Sequence, residues 1–171
     1  MLHYFMIGKL AASHGLQGEL ILQHNLGKAA SLKNLETIFI EKEKDNFFPY
    51  FITKTTGRSA DEVLIKLEGI DNKEEARKLT PQKVWVTKED FDRFVKKSAP
   101  ISLLGYILFG NGKDLGEIIE VIEQPGQLIC VIMYQQKEVL IPVHDDNLQK
   151  IDNRHKKVYV NIPDGLLEIY L

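Results

Sequence analysis

Leu103-Leu-Gly-Tyr-Ile-Leu-Phe-Gly-Asn-Gly-Lys-Asp-Leu-Gly-Glu-Ile-Ile-Glu-Val-Ile122 is the stretch that decides the fold class. Asn111-Gly112 stands between two apolar runs, and both residues tolerate the positive φ that a two-residue hairpin turn demands. The pattern predicts a strand at Leu103–Phe109, a turn at Gly110–Lys113 and a returning strand at Leu115–Ile122. Pro125-Gly126 marks the next turn. Leu128–Met133 then reads as an apolar strand, Gln135-Gln136 as a bend, and Val139–Val143 and Lys157–Val160 as further strands before Pro163-Asp-Gly-Leu-Leu167. Five or six strands in about 70 residues predict a small barrel or SH3-like roll.

Upstream, Thr87–Ser102 interrupts the apolar pattern with Asp90, Asp92, Arg93, Lys96 and Lys97, followed by Pro100, which disfavours helix at the residue before it. It reads as a linker with one short helical turn. Before it lie more strands. Tyr4, Met6 and Gly8 are placed on one face of the first, with Phe5, Ile7 and Lys9 on the other. Glu19–Gln23 follows a Gly15…Gly18 turn, Thr37–Glu41 and Tyr50–Lys54 pair around the polar Lys42–Asn46, and Val63, Ile65 and Leu67 alternate with polar or outward positions. Asp71 with Glu74 predicts a capping box for one short helix carrying Ala76 and Leu79 on its apolar face. Pro81 ends it and Val84-Trp-Val86 returns to strand. Short strands with one covering helix predict a small closed barrel.

The 171 residues are 44% apolar and 27% charged, the composition of a globular chain. No apolar run approaches the roughly 18–20 residues that span a bilayer, and Met1–Gly15 lacks a basic segment ahead of an apolar one, so neither a membrane span nor a signal peptide is expected. One cysteine excludes an internal disulfide and suits a cytoplasmic location. Charge divides unevenly: residues 1–97 hold 16 Lys+Arg against 14 Asp+Glu, and residues 98–171 hold 6 against 10. Neither half has the basic excess of a free-standing nucleic-acid binder, and the acidic second half suits a basic protein surface.

Chemistry finds little purchase. His3, His14, His24, His144 and His155 have no cysteine cluster and no helical i, i+4 pairing, so no metal site is expected. His144 with Asp145 and Asp146 is a local acid–imidazole group, read as a loop in which an aspartate caps a turn, against the alternative of a small hydrolase. Cys130 sits within Leu-Ile-Cys-Val-Ile-Met and reads as a buried hydrophobe. Glu117, Glu120 and Glu123 form an acidic strand edge, and Arg154-His-Lys-Lys157 a basic hairpin tip. No catalytic centre, cofactor or metal is predicted.

Gly8-Lys-Leu-Ala-Ala-Ser-His-Gly-Leu-Gln-Gly-Glu-Leu20 resembles the opening motif of the ribosome maturation factor RimM family. Leu64–Asp71 with Glu74–Leu79 resembles that family's strand–Gly–helix block. Leu104-Gly105, Gly112…Leu115-Gly116, Val139–Pro142 and Pro163–Leu167 resemble its PRC-barrel signature. The resemblance implies a mainly β chain of two small barrels, an elongation-factor-like N-terminal barrel (1–87) and a PRC barrel (103–171), joined by a short linker (88–102). It implies a non-enzymatic, cytoplasmic, monomeric assembly chaperone for the 30S head, supporting 16S rRNA processing and binding the nineteenth small-subunit ribosomal protein. The alternative is a PRC-type protein adaptor with no ribosomal role.

Expected ribosome or RNA contacts are His14 and Gly15 in the first turn, with Arg154, Lys156 and Lys157 at the basic tip. The sequence departs from the family pattern just before the PRC barrel. Where relatives commonly carry adjacent tyrosines and a further aromatic, Ser98-Ala-Pro-Ile-Ser102 has none. The expected ribosomal-protein contact therefore moves to Phe91, Phe94 or Tyr106. Thr80-Pro81 also stands where a glycine commonly follows the family's helix.

Overall fold

The computed structural model describes residues 3–27 and 32–170. The chain divides into two compact units, Met1–Ser102 and Leu103–Leu171. In the first, β1 (Tyr4–His14), β2 (Glu19–His24), β3 (Thr37–Glu43), β4 (Asn46–Gly57), β5 (Glu62–Leu67) and β6 (Lys83–Thr87) close into a barrel in the order β1-β2-β5-β4-β3-β6. β6 pairs antiparallel with β1 and completes the ring. The strands alternate as a closed barrel requires: Leu20, Leu22, Ile38, Ile40, Val63, Ile65, Leu67, Val84 and Val86 are all buried, with polar or half-exposed neighbours between them. Each fully buried Leu or Ile contributes roughly 1.5–3 kcal/mol.

β1 departs from simple alternation. Its register against β6 slips between Met6 and Gly8, and against β2 between Leu10 and Ala12. Ile7 and Leu10 are the inward residues, while Lys9 is exposed. The bulge therefore places Lys9 outside, across from Lys83, and not on the face of Ile7.

The helix α1 (Lys73–Lys78) starts one residue later than the Asp71 pattern predicts. Asn72 is the N-cap, its Oδ1 accepting the Glu75 N–H at 2.9 Å, and Glu75 Oε2 accepts the Asp71 N–H at 3.0 Å. Asn72 and Glu75 divide the capping work because Lys66 already engages the Asp71 carboxylate at 2.9 Å. The Thr80–Pro81 peptide that follows is cis.

Residues 88–102, expected as a linker, belong to the first unit. They contain α2 (Lys88–Phe94), capped by Thr87 accepting the Asp90 N–H at 3.2 Å, with Phe91 buried edge-on against Phe5 at 4.9 Å. Charged residues on the outer face of this short helix hide a single apolar anchor, so the segment reads as linker from composition.

The second unit is a six-stranded sheet, with β7 (Ile107–Gly110), β8 (Lys113–Gln124), β9 (Gln127–Tyr134), β10 (Lys137–Val143), β11 (Leu148–Asp152) and β12 (Lys157–Val160) in the order β10-β9-β8-β7-β12-β11. β7 begins later than predicted because Pro100–Leu103 forms a 3-10 turn. β12 pairs parallel to β7, an arrangement that local patterning does not specify. Leu108, Ile118, Cys130, Ile132, Val139, Ile141, Val158 and Val160 form the core. Burial pushes the Cys130 thiol up to about 12, leaving an unreactive core residue.

Asn111 (φ 50°) and Gly112 (φ 78°) make the predicted turn. Gln135 (φ 48°) and Gln136 (φ 66°) adopt the same left-handed pair between β9 and β10, where residues with a Cβ are strained by roughly 1–2 kcal/mol each. Replacing Gln135-Gln136 by Asn-Gly is expected to stabilise the chain by about 1–2 kcal/mol, measured by urea unfolding.

His24 is buried at the end of β2. Its Nδ1 accepts the Leu26 N–H at 3.3 Å, and burial lowers its pKa below 6.5 despite the opposing attraction of Asp61. The fold therefore holds a neutral imidazole, and the unfolded chain binds the proton more readily. This contribution is complete above pH 6.5 and is lost as pH falls below that value. The urea midpoint is expected to drop between pH 7.5 and pH 5, with a smaller drop in His24→Gln.

Candidate functional site

The β1–β2 turn, His14-Gly-Leu-Gln-Gly18, is built on two glycines with different tasks. Gly15 has φ +63°, and a Cβ there would meet nothing within 4 Å, so the position needs glycine for its backbone alone. Gly18 has φ +81°, and its Cβ would lie 2.3 Å from the Ile70 carbonyl oxygen and 3.0 Å from the Asn72 nitrogen. The Gly18 backbone therefore packs against the segment that leads into α1 with no room for a side chain between them. The turn thus presents its outer residues from a closely packed base.

His14 is exposed at the end of β1, and Arg58 Nη1 approaches its Nδ1 at 3.5 Å. Arg58 also bridges Glu62 at 3.3 Å. Leu16 is 77% exposed at the turn's tip. His14 and Gly15 stand out in the sequence, whereas Leu16 and Arg58 emerge only in the folded chain. An exposed leucine inside a Gly-bounded turn was the available signal for Leu16; the approach of Arg58 needs the barrel's closure.

The basic tip between β11 and β12 is held by an acid. Asp152 accepts the Arg154 N–H at 3.1 Å, the His155 N–H at 3.0 Å and the His155 ring at 2.9 Å. These hydrogen bonds from His155, with its charge and that of Lys150, hold the Asp152 carboxyl down at about 2. Arg154 is exposed, Lys156 takes φ 52°, and Lys157 lies 4.9 Å from the Phe109 ring centre. The three cationic candidates are brought onto one turn, but Lys157 already lies over an aromatic ring.

The aromatic candidates separate by burial. Phe91 is 2% exposed, and Tyr106 is 9% exposed with its hydroxyl 3.1 Å from Asn153 Oδ1. Both rings serve their own cores, so the folded chain does not offer them as contact surfaces. Phe94 is half-buried, with the Arg93 guanidinium 4.6 Å from its ring centre. Ala99 and Ile101, in the stretch without aromatics, are buried.

His144 and Asp146 are 3.9 Å apart, with Asp146 projecting into solvent. The loop is organised by Asn147, not by an aspartate. Its Oδ1 accepts the His144 N–H at 2.9 Å and its Nδ2 donates to the Pro142 carbonyl at 2.8 Å. Among the described residues, no group of three His, Cys, Asp or Glu is placed to hold a metal ion, and no helix is long and apolar enough to cross a membrane. A pocket of about 430 Å³ is lined by Ile40, Lys42, Ile70, Lys78 and Leu79, with Glu41 and Glu75 balancing its lysines.

Residues 5–91 match the family model of the RimM N-terminal domain, and residues 100–166 that of the RimM PRC barrel domain. The chain belongs to the RimM family. It is 27% identical over 169 residues to the ribosome maturation factor RimM of Flavobacterium psychrophilum, covering 98% of this chain and 97% of that protein. It is 31% identical to the ribosome maturation factor RimM of Thermosipho africanus, covering 92% and 90%. A solved Pseudomonas aeruginosa structure described as a 16S ribosomal RNA processing protein RimM aligns with a TM-score of 0.46 at 18% identity, covering 94% and 98% of the two chains. The two RimM modules occur here in order and nearly without a gap.

The two turn glycines of this RimM chain make separable demands. Gly15→Ala is expected to cost about 1 kcal/mol from backbone strain. Gly18→Ala is expected to cost more than about 2 kcal/mol, because the Ile70 carbonyl must also move. Urea unfolding of both variants, measured together, checks the order.

Proposed function

We propose that this RimM-family chain is a non-enzymatic, cytoplasmic assembly factor that acts late in maturation of the 30S head. It binds the nineteenth small-subunit ribosomal protein and 16S rRNA and supports rRNA processing. The observation that carries this reading is the succession of both RimM modules over residues 5–91 and 100–166. A factor of this kind works by preferring one arrangement of RNA and protein over its competitors, since a ligand moves an equilibrium only through differential affinity.

The features described above fit that mode of action. His14, Gly15 and Leu16 stand on a turn whose base, at Gly18, packs closely on the Ile70 backbone, and Arg154 and Lys156 stand on a turn tied by Asp152. Both are surfaces that can meet a partner without ordering a loop, which limits the entropic cost of binding. The excess of acid in residues 98–171, 10 carboxylates against 6 cations, favours encounter with a basic ribosomal protein. In the first unit, Phe94 of α2 is the remaining aromatic candidate for an anchor to that protein.

Depletion of the protein is expected to accumulate unprocessed 16S rRNA precursor, and the purified chain is expected to sediment with immature small subunits. Normal processing on depletion, together with no subunit association, rejects the reading. Phe94→Ala is expected to weaken binding of the isolated nineteenth protein at least fivefold by titration calorimetry, whereas His144→Ala is expected to leave it unchanged. A dominant non-ribosomal partner insensitive to salt and ribonuclease would favour the adaptor alternative.

A further inference from the structure

The outer face of the first unit carries an electrostatic arrangement that its own residues leave unresolved. Lys9 of β1 and Lys83 of β6 are direct cross-strand partners, and Gln23 of β2 lies opposite Lys9 on its other side. Opposed residues of an antiparallel pair put their Cβ atoms roughly 4.5–5.5 Å apart on one face, and like charges in that position are destabilising. Neither ammonium group reaches a carboxylate among the described residues. Glu62 continues the row beyond Gln23, but Arg58 bridges it at 3.3 Å. Glu41 of neighbouring β3 accepts the Asp45 N–H at 2.9 Å.

The two lysines line a cleft of about 190 Å³ with Met6, Gly8, Gln23 and Asn25. It contains two cations, two amide side chains that donate as well as accept, and no acid. Unlike the pocket beside α1, it is unbalanced. An anion with several acceptor oxygens would fit between the lysines and relieve their repulsion.

Beside the cleft lies an aromatic surface. Trp85 is the cross-strand partner of both Met6 and Phe39, and it is two residues along β6 from Lys83. Val84 and Val86 point into the barrel, so Lys83 and Trp85 share its outer face. Tyr4, Phe39, Phe47 and Trp85 form a continuous ring cluster, with centroids 4.7 Å apart for Tyr4–Phe39, 4.4 Å for Tyr4–Phe47 and 5.2 Å for Phe47–Trp85. The Trp85 Nε1–H is buried and has no hydrogen-bond partner among the described residues.

We propose that this face binds single-stranded RNA, with Lys9 and Lys83 gripping a backbone phosphate at the cleft and the aromatic cluster receiving bases beside it. Unpaired cations adjoining rings are the combination that sequence-tolerant single-strand binding uses. The inference rests on the assembly reading for the source of the RNA, and assigns it a face that neither turn occupies.

Trp85 is the only tryptophan in the chain, so its emission reports on this face without a label. Titrating the full-length protein with a 12-nucleotide oligouridylate is expected to give saturable quenching. Lys9→Gln with Lys83→Gln should weaken binding at least tenfold and lower the slope of log affinity against log salt by about 0.7, the contribution of one neutralised phosphate on a single strand. Lys9→Arg with Lys83→Arg should restore both. Unchanged affinity and slope in the glutamine variant would overturn the proposal, as would equal quenching by polyglutamate, which would assign the face to acidic protein. Sedimentation with immature subunits separates this proposal from its premise. If the glutamine variant keeps both particle binding and oligouridylate affinity, the face is wrong and the assembly reading stands. If the wild-type chain does not sediment with subunits, the reading itself fails.

Discussion

β1 hydrogen-bonds on both of its edges, to β2 along one and to β6 along the other, and this double pairing is what makes the first unit a barrel. The strand cannot satisfy both neighbours with one straight register, and the two slips along it absorb the mismatch. The lysine pair and the first turn of this unit both follow from that strand. The slip near Gly8 turns Lys9 outward, where β6 supplies Lys83. The far end of the same strand runs out into the His14–Gly18 turn, which Gly18 presses against the Ile70 carbonyl. A closed ring also has no free strand edge, so its partners must be met through side chains and turns.

The second unit solves a different problem. Its last strand, β12, returns parallel to β7, and β11 pairs at the sheet's far end. The tip between them is therefore held at both sides by strands and internally by Asp152. A basic turn without that carboxylate would pay the full repulsion of Arg154, Lys156 and Lys157. With it, the local charge is partly offset and the backbone direction is set by hydrogen bonds to two consecutive N–H groups. The acid is a structural element of a cationic surface, and the hydrogen bonds and neighbouring positive charge there explain why it titrates so low.

Much of the strand pattern was legible because period-two alternation survives wherever one face is buried, as in Leu20/Leu22 or Val84/Val86. The Asn111-Gly112 turn was legible for an equally local reason. What escaped was non-local or one residue wide. The α1 cap moved to Asn72 because Lys66, from another strand, holds Asp71. α2 was obscured by its charge, its single anchor Phe91 being indistinguishable in sequence from an exposed aromatic. The parallel pairing of β12 carries no local signature at all.

The same limit governs the functional surfaces. Burial removes Phe91 and Tyr106 from the candidate contacts, and only tertiary packing could have done so. Lys9 and Lys83 are 74 positions apart in sequence, and each alone is an ordinary surface lysine. Their significance comes from the bulge and the ring closure acting together, which place two cations side by side without an acid. A chain with a net charge of −2 can therefore still present a local anion-binding face, because the fold and not the composition decides which charges become neighbours. Overall charge describes how such a molecule behaves at a distance of many ångströms, whereas recognition is settled by the few groups that the β1–β6 seam brings into contact.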